Sequence, residues 1–263
     1  HGFTTGGCLR ADLVATLKDA LVATTGNDDS LLYSHKLVSM EQDDNVVRLE
    51  FDGREHVEHD LVIGADGINS TVAELMDIDP SPPVYSGANI YYGVIENPDD
   101  IDFVDEAVGR DHDVVQGNGT GEFITFRSGA PDKKVQVWAN TYSSDKAPPR
   151  EEWGVGDLSS PDLKTMLDMF PSRHPIHELA TYTTPGRLLH FGLFYRKHKD
   201  VWSKGRTVLL GDSCHATLPY VGQGANQAIE DAVVLAECLS SSPENHQDAF
   251  QSYYEQRSRR TKR

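Results

Sequence analysis

One segment constrains this chain more than any other: a short apolar strand that runs into a glycine–acid turn and then into a long helix. Thr207–Leu210 is a short, mostly apolar run that begins with two β-branched residues, as in buried strands, and Gly211 and Asp212 come directly after it. Gly222 and Gly224 precede a helical pattern in which apolar residues recur at i, i+3 and i+4. This order of strand, turn and helix favours an α/β domain with a ligand at the carboxyl end of the strand.

The residues of this segment suit a flat, polar ligand. Asp212 can accept hydrogen bonds from ligand hydroxyls, as acidic residues at strand ends do with ribose. Pro219 stiffens the next turn, and Gly222 and Gly224 leave the backbone bare, so that a ring can lie against it. The helix N-terminus offers unpaired N–H groups and partial positive charge, which would stabilise negative charge on such a ring.

A shorter segment, Gly64–Val72, repeats the pattern of an apolar strand entering a turn of small residues with one carboxylate, Asp66. Gly64 and Gly67 permit close backbone approach or positive φ, and Ser70 is suited to cap a subsequent helix. Such a turn can bring backbone N–H groups to a pyrophosphate. An ordinary strand–turn–helix junction accounts for the same spacing equally well.

Elsewhere helical and extended patterns alternate. Leu13, Leu17 and Leu21 recur at i+4 intervals and predict an apolar helix stripe. Predicted helices span Arg10–Val22, Ser160–Phe170 and His246–Arg263. Predicted strands span Lys36–Gln42, Asn45–Phe51, His56–Ile63, Ala88–Ile95, Gly121–Phe126 and Lys134–Thr141. In the long helix after Gly224, the stripe predicted to pack against a sheet is Ala225, Ala228, Ile229, Ala232, Val233, Ala236 and Leu239. The basic end of the last helix predicts a solvated face: Arg257, Arg259, Arg260, Lys262 and Arg263.

Composition excludes several functional classes. The 263 residues carry a net charge of −17, which argues against affinity for nucleic acid or for anionic membranes. No apolar run approaches the roughly 20 residues that span a bilayer, and no signal peptide is visible. Three widely spaced cysteines indicate reduced thiols and a cytoplasmic location. His174 and His177 can share a helix face, but no carboxylate or cysteine completes a metal site, so we expect none.

The two strand–turn segments together resemble the fingerprints of the FAD-dependent aromatic hydroxylases, the class of para-hydroxybenzoate and salicylate hydroxylases. The match is strongest over Gly211–Asn226, extends into Trp202–Arg206 before it and Asn226–Ala232 after it, and includes Tyr254-x-x-Arg257. Gly64–Val72 matches the other fingerprint. The salicylate-hydroxylase-like branch, which includes monooxygenases of fungal secondary metabolism, is the most similar. The resemblance covers nearly the whole chain but is sharp only in these segments.

The resemblance implies roles for individual residues. The position of Asp212 holds the flavin ribityl chain, and Gly222–Ala225 border the isoalloxazine ring. Asp66 and Gly67 match a loop near the pyrophosphate that serves FAD and NAD(P)H, and Arg10 matches an arginine that contacts the cofactor. The implied cofactor-binding residues are Arg10, Asp66, Gly67, Asp212, Pro219, Gly222, Gln223, Gly224, Ala225 and Asn226. The implied substrate contacts are Tyr92 and Phe126, whereas Trp138 is expected to pack within the sheet.

The chain departs from the family pattern in three places. The Gly-x-Gly-x-x-Gly segment that binds the ADP half of FAD in the family has no counterpart before Arg10, and Gly117–Gly121 is typical of a hairpin turn instead. Ala73 stands after Val72 where the family often has an arginine. The first strand of the substrate domain reads Tyr-Tyr-Gly around Tyr92 rather than Tyr-Arg-Gly. The first departure leads us to expect a chain that lacks the N-terminal βαβ unit.

The predicted fold is α/β: a partial, Rossmann-like FAD-binding domain, an inserted β-sheet substrate domain and a C-terminal helix. The FAD-binding parts are 1–83 and 186–240, the substrate domain is 84–185, and the C-terminal helix is 241–263. The crossing to the substrate domain is predicted at the proline-rich Asp79–Pro83.

The function that the resemblance implies is a monooxygenase that uses FAD, NAD(P)H and O2 to hydroxylate an aromatic or other electron-rich small molecule. No protein nucleophile or acid–base pair is evident, and we expect structural roles for Cys214 and His215, in keeping with chemistry supplied by the cofactor. Two alternatives stay open. One is a related flavin epoxidase or dehydrogenase, and the other is a truncated, non-catalytic relative or half-protein that does not bind FAD alone. We expect a small-molecule substrate and no partner nucleic acid or stable membrane association.

Overall fold

The computed structural model describes residues 8–27, 30–78, 81–101, 114–117, 121–130, 133–149, 154–155 and 158–262. The chain divides into two compact units. The first unit comprises residues 1–31 and 85–193, and the second comprises residues 32–84 and 194–263. No helix in the described ranges is both long enough and apolar enough to cross a membrane.

The first unit is built on a six-stranded sheet. Its strands, in the order of the sheet, are β6 (Val114–Gly117), β7 (Gly121–Ala130), β8 (Lys133–Ser143), β5 (Val84–Glu96), β10 (Leu188–Tyr195) and β9 (Gly154–Val155). β5, β7 and β8 confirm the three strands predicted here and extend beyond the predicted bounds. The antiparallel pairing of β6 with β7 confirms the predicted hairpin, although residues 118–120 at its turn lie outside the described residues.

Among the described residues of this unit there are three α-helices: α1 (Arg10–Thr25), α3 (Pro161–Leu167) and α4 (Pro175–Thr181). Ser160 and His174 cap the latter two, each accepting a hydrogen bond from a backbone N–H group, and each helix begins with proline. α3 and α4 cover one face of the sheet. The resulting core contains Tyr91, Ile95, Phe123, Trp138, Leu163, Met166, Phe170, Ile176, Leu179, Ala180 and Leu188.

A glycine in the central strand makes room for the largest side chain of this core. Gly93 lies directly opposite Trp138 on β8, and a Cβ atom at position 93 would come within 2.2 Å of the indole nitrogen. The Trp138 ring is fully buried, and its Nε1–H group donates a hydrogen bond of 2.8 Å to Thr183 Oγ1. The glycine of the Tyr-Tyr-Gly sequence therefore serves core packing, which confirms the packing role predicted for Trp138.

The second unit holds two three-stranded sheets. One contains β1 (Leu37–Gln42), β2 (Val47–Phe51) and β3 (Val57–His59) in antiparallel order. The other contains β11 (Ser203–Lys204), β12 (Thr207–Leu209) and β4 (Val62–Gly64). The predicted strand His56–Ile63 is wrong, because its residues form β3 and β4 in different sheets. Asp60 and Leu61 between them let the chain change sheets, which an apolar run alone does not reveal.

Four α-helices complete the second unit within the part of the chain that the structure describes: α2 (Thr71–Leu75), α5 (Asp212–His215), α6 (Gly224–Ser241) and α7 (His246–Thr261). These helices share one hydrophobic core with β12. The core includes Val72, Met76, Trp202, Val208, Leu209, Cys214, Leu235, Cys238, Phe250 and Tyr253. The long helix and the last helix are thus found where the sequence predicts them.

The predicted packing face of the long helix is wrong. In α6, Ile229 and Val233 are exposed, whereas the buried positions are Asp231, Leu235 and Cys238. The carboxylate of Asp231 is buried because its hydrogen-bond partners lie on other elements. This determines which face of α6 is buried, and the pattern of apolar residues does not predict it. In α1 no residue is buried, so the predicted leucine stripe does not pack into the described core.

The compact units differ from the predicted domains in two places. The break after residue 84 lies close to the predicted boundary at 83, whereas the break after residue 193 leaves most of β10 with the large sheet, although the predicted FAD-binding part begins at 186. However, α1 groups with the large sheet, although the sequence assigns residues 1–83 to the FAD-binding part. The functional division of the chain into FAD and substrate domains stays a prediction.

Candidate functional site

The two fingerprint segments meet at one edge of the second unit. β4 and β12 are neighbouring parallel strands, with Gly64 opposite Leu209. Leu210 N–H donates to Gly64 O at 2.9 Å, and Ser213 Oγ–H donates to the same oxygen at 2.6 Å. Because both strands end here, the turns after them leave the sheet side by side. This is the place where open α/β sheets bind ligands.

The turn at Gly211 presents Asp212 to solvent. Gly211 has φ 64° and ψ −137°, a conformation that is essentially restricted to glycine, and an added Cβ would lie 3.1 Å from Ala228 Cβ. Asp212 is exposed, and its carboxylate accepts no hydrogen bond from any residue that the structure describes. Partial desolvation by neighbouring protein atoms raises the pKa of this carboxyl, although the electrostatic effect of His215 acts to lower it. Its oxygens are free for a ligand.

The carboxylate of Asp66, in contrast, is already engaged. Oδ1 accepts from Ser70 Oγ–H at 2.5 Å and Oδ2 accepts from Val72 N–H at 3.0 Å. Ser70 Oγ in turn accepts from Ala73 N–H at 2.9 Å, which confirms Ser70 as the cap of α2. Gly67 has φ 80° with nothing within 4 Å of an added Cβ, so backbone conformation explains this glycine.

The N-terminus of α6 is open. Pro219 begins a short 3-10 turn that ends at Gly222, where φ is 61°. Gln223 precedes the helix and makes no side-chain cap, and the first turn holds no acidic residue. An added Cβ at Gly224 would meet nothing within 4 Å, so the protein itself gives no packing reason for a glycine there. The N–H groups in the first turn of α6 therefore receive no side-chain cap and are available to an acceptor on a ligand.

In the first unit, Arg10 and Tyr92 line one cleft of about 1010 Å³ between α1 and the sheet. Tyr92 is half-buried, and burial raises its pKa. Four basic side chains border this cleft, and one of them, Arg187, pairs with Glu96 at 2.8 Å. The basic residues are Arg10, Lys18, Lys134 and Arg187.

Phe126 shares the sheet face of Tyr92. Tyr92 lies opposite Ala139, and two residues along the ladder Phe126 lies opposite Val137, which faces Val94 on β5. Directly paired residues and positions two apart point to the same face of a sheet. Phe126 is not among the described residues that line the cleft, so the two predicted substrate contacts share a face but only Tyr92 borders the cavity.

Several weaker candidates have structural roles. His215 does not pair with Asp212; its Nε2 lies 2.6 Å from Asp231 Oδ2. His174 caps α4, and His177 Nε2 lies 3.1 Å from Pro171 O. Cys214 is buried, and burial raises the pKa of its thiol, so it is not an activated nucleophile.

The prediction of a solvated basic end is wrong for Arg257. Its side chain is 4 % exposed and lies 2.7 Å from Asp231 and 2.6 Å from Glu230. Arg260 and Lys262 do lie at the surface, where they pair with Glu230 and Asp200. Sequence reasoning noted Arg257 as part of a family pattern but missed Asp231, because an acid in an amphipathic helix is normally a solvated residue.

Comparison with known proteins identifies the family. The family model of the FAD binding domain matches residues 17–263. The chain belongs to this family. Relatives named as monooxygenases of aromatic compounds confirm the predicted class of FAD-dependent aromatic hydroxylases, whose cofactor is FAD.

Two curated relatives and one solved structure illustrate the similarity. The 6-hydroxynicotinate 3-monooxygenase of Bordetella bronchiseptica is 30 % identical over 262 residues, which are 97 % of this chain and 62 % of that protein. The 3-amino-4-hydroxybenzoate 2-monooxygenase of Streptomyces cremeus is 32 % identical over 252 residues, covering 96 % and 58 %. Klebsiella pneumoniae HpxO, solved with FAD and uric acid, shares the fold with a TM-score of 0.75 at 22 % identity, covering 94 % and 59 %. The chain therefore spans about three fifths of these relatives.

Proposed function

We propose that this chain forms the larger part of an FAD-dependent monooxygenase that uses NAD(P)H and O2 to hydroxylate an aromatic or other electron-rich small molecule. When bound, FAD supplies the redox chemistry, taking electrons from the nicotinamide and activating O2. The protein supplies binding, orientation and exclusion of water. A cytoplasmic location belongs to the same proposal, supported by the free thiols of the three cysteines.

The observation that carries the proposal is the pairing of an unengaged carboxylate with an uncapped helix N-terminus. Asp212 is free to accept from hydroxyl groups, as a ribityl chain requires. The bare backbone at Gly222 and Gly224 leaves space for a ring, and the N–H groups of α6 would stabilise negative charge on it. The residues present therefore fit FAD. Pro219, Gln223, Ala225 and Asn226 belong to the same proposed contact surface.

The two remaining proposed cofactor contacts use different atoms. The Asp66–Gly67 loop would meet the cofactor through its backbone, since the Asp66 carboxylate is held by Ser70 and Val72. Arg10 would meet it through its guanidinium, which can pair with phosphate oxygens in a bidentate manner.

For the substrate, we propose an aromatic molecule that contacts Tyr92, with Phe126 on the same sheet face. The four basic residues of the cleft outnumber its two acids, Asp12 and Glu96, and this net positive charge favours a substrate that carries an anionic group. Arg187 is paired with Glu96, so Arg10 and Lys134 would attract such a group. The named substrates of two relatives, 6-hydroxynicotinate and 3-amino-4-hydroxybenzoate, are aromatic carboxylates. These two compounds are the first to test.

The test is to purify the chain, add FAD and record the visible spectrum after removal of free flavin. We expect retained flavin, and we expect oxidation of NADH or NADPH to accelerate when a substrate is added. The matched control is Asp212→Ala, which should retain much less FAD while staying folded.

The possible outcomes separate the alternatives. A folded, colourless chain that takes up no FAD would support the non-catalytic alternative and contradict the proposal. A product that carries an epoxide or a new double bond, instead of a hydroxyl group, would support the epoxidase or dehydrogenase alternative. Flavin retention with a hydroxylated product would support the proposal.

A further inference from the structure

The second unit contains a buried ion pair that the proposed function does not use. The side chain of Asp231 is 0 % exposed and that of Arg257 is 4 % exposed, and their Oδ1 and Nε atoms are 2.7 Å apart. Burial alone would raise the pKa of the Asp231 carboxyl, but hydrogen bonds from His215 and Arg257 lower it, so the group is ionised. Buried ion pairs contribute little net stability compared with apolar packing, so their geometry is a better guide to their role.

The carboxylate of Asp231 joins α6 to α5, with the turn before it, and to α7. Oδ2 accepts from Gly211 N–H at 3.1 Å and faces His215 Nε2 at 2.6 Å. Oδ1 accepts from Arg257 on α7. Gly211 is the residue whose conformation turns the chain into Asp212. The carboxylate therefore fixes the turn that presents Asp212 against the helix whose N-terminus forms the other half of the candidate site.

Arg257 connects the same carboxylate to the first turn of α6. Its Nη2 donates to Gln227 O at 3.2 Å and to Gln227 Oε1 at 2.6 Å. Gln227 lies one turn from Gly224, at the start of the helix. Because the guanidinium is planar, one rigid group spans the distance from Asp231 to the helix N-terminus.

We propose that Asp231 and Arg257 are positioning residues that hold Asp212 and the N-terminus of α6 in the mutual arrangement that FAD binding requires. This inference rests on the proposed function. Neither residue is expected to contact FAD, since both are buried and act through Gly211 and Gln227. A purely structural role predicts the opposite behaviour: every variant that folds would bind flavin as the wild type does.

The decisive variant is Asp231→Asn in the chain, measured with FAD as the probe. The NH2 group of the asparagine amide would face either Gly211 N–H or Arg257 Nε–H, both of which are donors, so one of these two bonds is lost. We expect the dissociation constant for FAD to rise about tenfold or more, because a buried donor loses its acceptor. We also expect the visible circular dichroism of the bound flavin to change, since the ring would rest against a displaced helix end.

The matched control is Glu230→Gln. Glu230 neighbours Asp231, also bonds Arg257 and loses the same charge, but Asp231 and not Glu230 accepts from Gly211 N–H. We expect its FAD affinity to stay within about twofold of wild type, as for a partly exposed pair. Melting temperatures of both variants report folding separately.

A second variant covers the case in which Asp231→Asn does not fold. Arg257→Lys keeps the buried charge but cannot span Asp231 and Gln227 together, so we expect FAD affinity to fall about threefold to tenfold. A folded Asp231→Asn or Arg257→Lys protein with wild-type affinity and spectrum would overturn this inference alone. A wild-type chain that takes up no FAD would overturn the proposed function and this inference with it.

Discussion

Asp66 and Asp212 have similar sequence contexts, but their carboxylates differ in whether the protein itself hydrogen-bonds them. Each comes after an apolar strand and a turn of small residues, and the two strands are parallel neighbours. The Asp66 carboxylate is satisfied within its own loop, by Ser70 and Val72. That of Asp212 is exposed and accepts from no described residue. The same sequence pattern thus gives a carboxylate that stabilises the local structure at Asp66 and a carboxylate that is available to a ligand at Asp212.

The difference arises from the distance between each acid and the next helix. After Asp66 the chain continues for several residues before α2 begins, so the carboxylate can reach the N–H groups at the helix N-terminus. Asp212 is itself the first residue of α5, and its side chain does not cap that helix. Its turn is held instead by Gly211 N–H, which donates to the Asp231 carboxylate. Asp212 remains available because a distant carboxylate fulfils the structural role.

The largest effect is expected for Gly224→Val, which tests whether FAD binds at the Gly211–Asn226 loop. A valine there would occupy the open space at the helix N-terminus, so FAD affinity should fall on the order of tenfold to hundredfold. Titration of FAD fluorescence measures this loss. Ala236→Val, at an exposed position of the same helix, is the matched control and should bind normally. Equal binding by both variants would place the flavin elsewhere.

Asp212→Ala is the next largest and tests the carboxylate itself. Loss of a charged acceptor for ligand hydroxyls should weaken FAD binding about tenfold, with no loss in the free energy of unfolding. The flavin-to-protein ratio after gel filtration and urea unfolding measure the two quantities. Asp212→Asn, which keeps an acceptor oxygen, should be intermediate. Wild-type flavin occupancy in Asp212→Ala would remove the role proposed for this residue.

Asp66→Ala should show the reverse of Asp212→Ala. The N-terminus of α2 loses an acceptor, so the free energy of unfolding should fall by about 1–2 kcal/mol, as for other lost helix caps. FAD affinity should fall less than in Asp212→Ala. Urea unfolding and flavin titration on the same preparations give both numbers. A larger loss of FAD affinity than in Asp212→Ala would reverse the contrast between the two loops.

Gly67→Ala should have the smallest effect and tests whether the Gly64–Val72 loop needs a positive φ at this position. The residue has φ 80° and open space around it, so an alanine meets strain but no clash. We expect a loss of about 1 kcal/mol in the free energy of unfolding. Ala65→Ser, at an exposed neighbouring position, is the control and should be nearly neutral. An unchanged Gly67→Ala protein would mean that the positive φ is not needed.

Most of the secondary structure could be predicted from local pattern. The strand at Thr207, the helix after Gly224 and the alternating strands of the large sheet are consequences of apolar period and glycine placement. The cap at Ser70 could also be predicted from sequence alone. The split of His56–Ile63 between two sheets could not be predicted, because strand pairing depends on distant segments. The buried face of α6 was mispredicted for a related reason: its central residue is an acid whose partners lie on other elements.

The sequence by itself determined the family and the two loops, because a buried strand, a glycine turn and a helix N-terminus are local features with local causes. It also indicated that the Gly211–Asn226 segment carries most of that information. Only the tertiary structure decided which acid is free for a ligand and which is used by the fold. For Asp212 the deciding hydrogen bonds join residues far apart in the chain: the Asp231 carboxylate accepts from Gly211 N–H and from Arg257, and no local pattern predicts them.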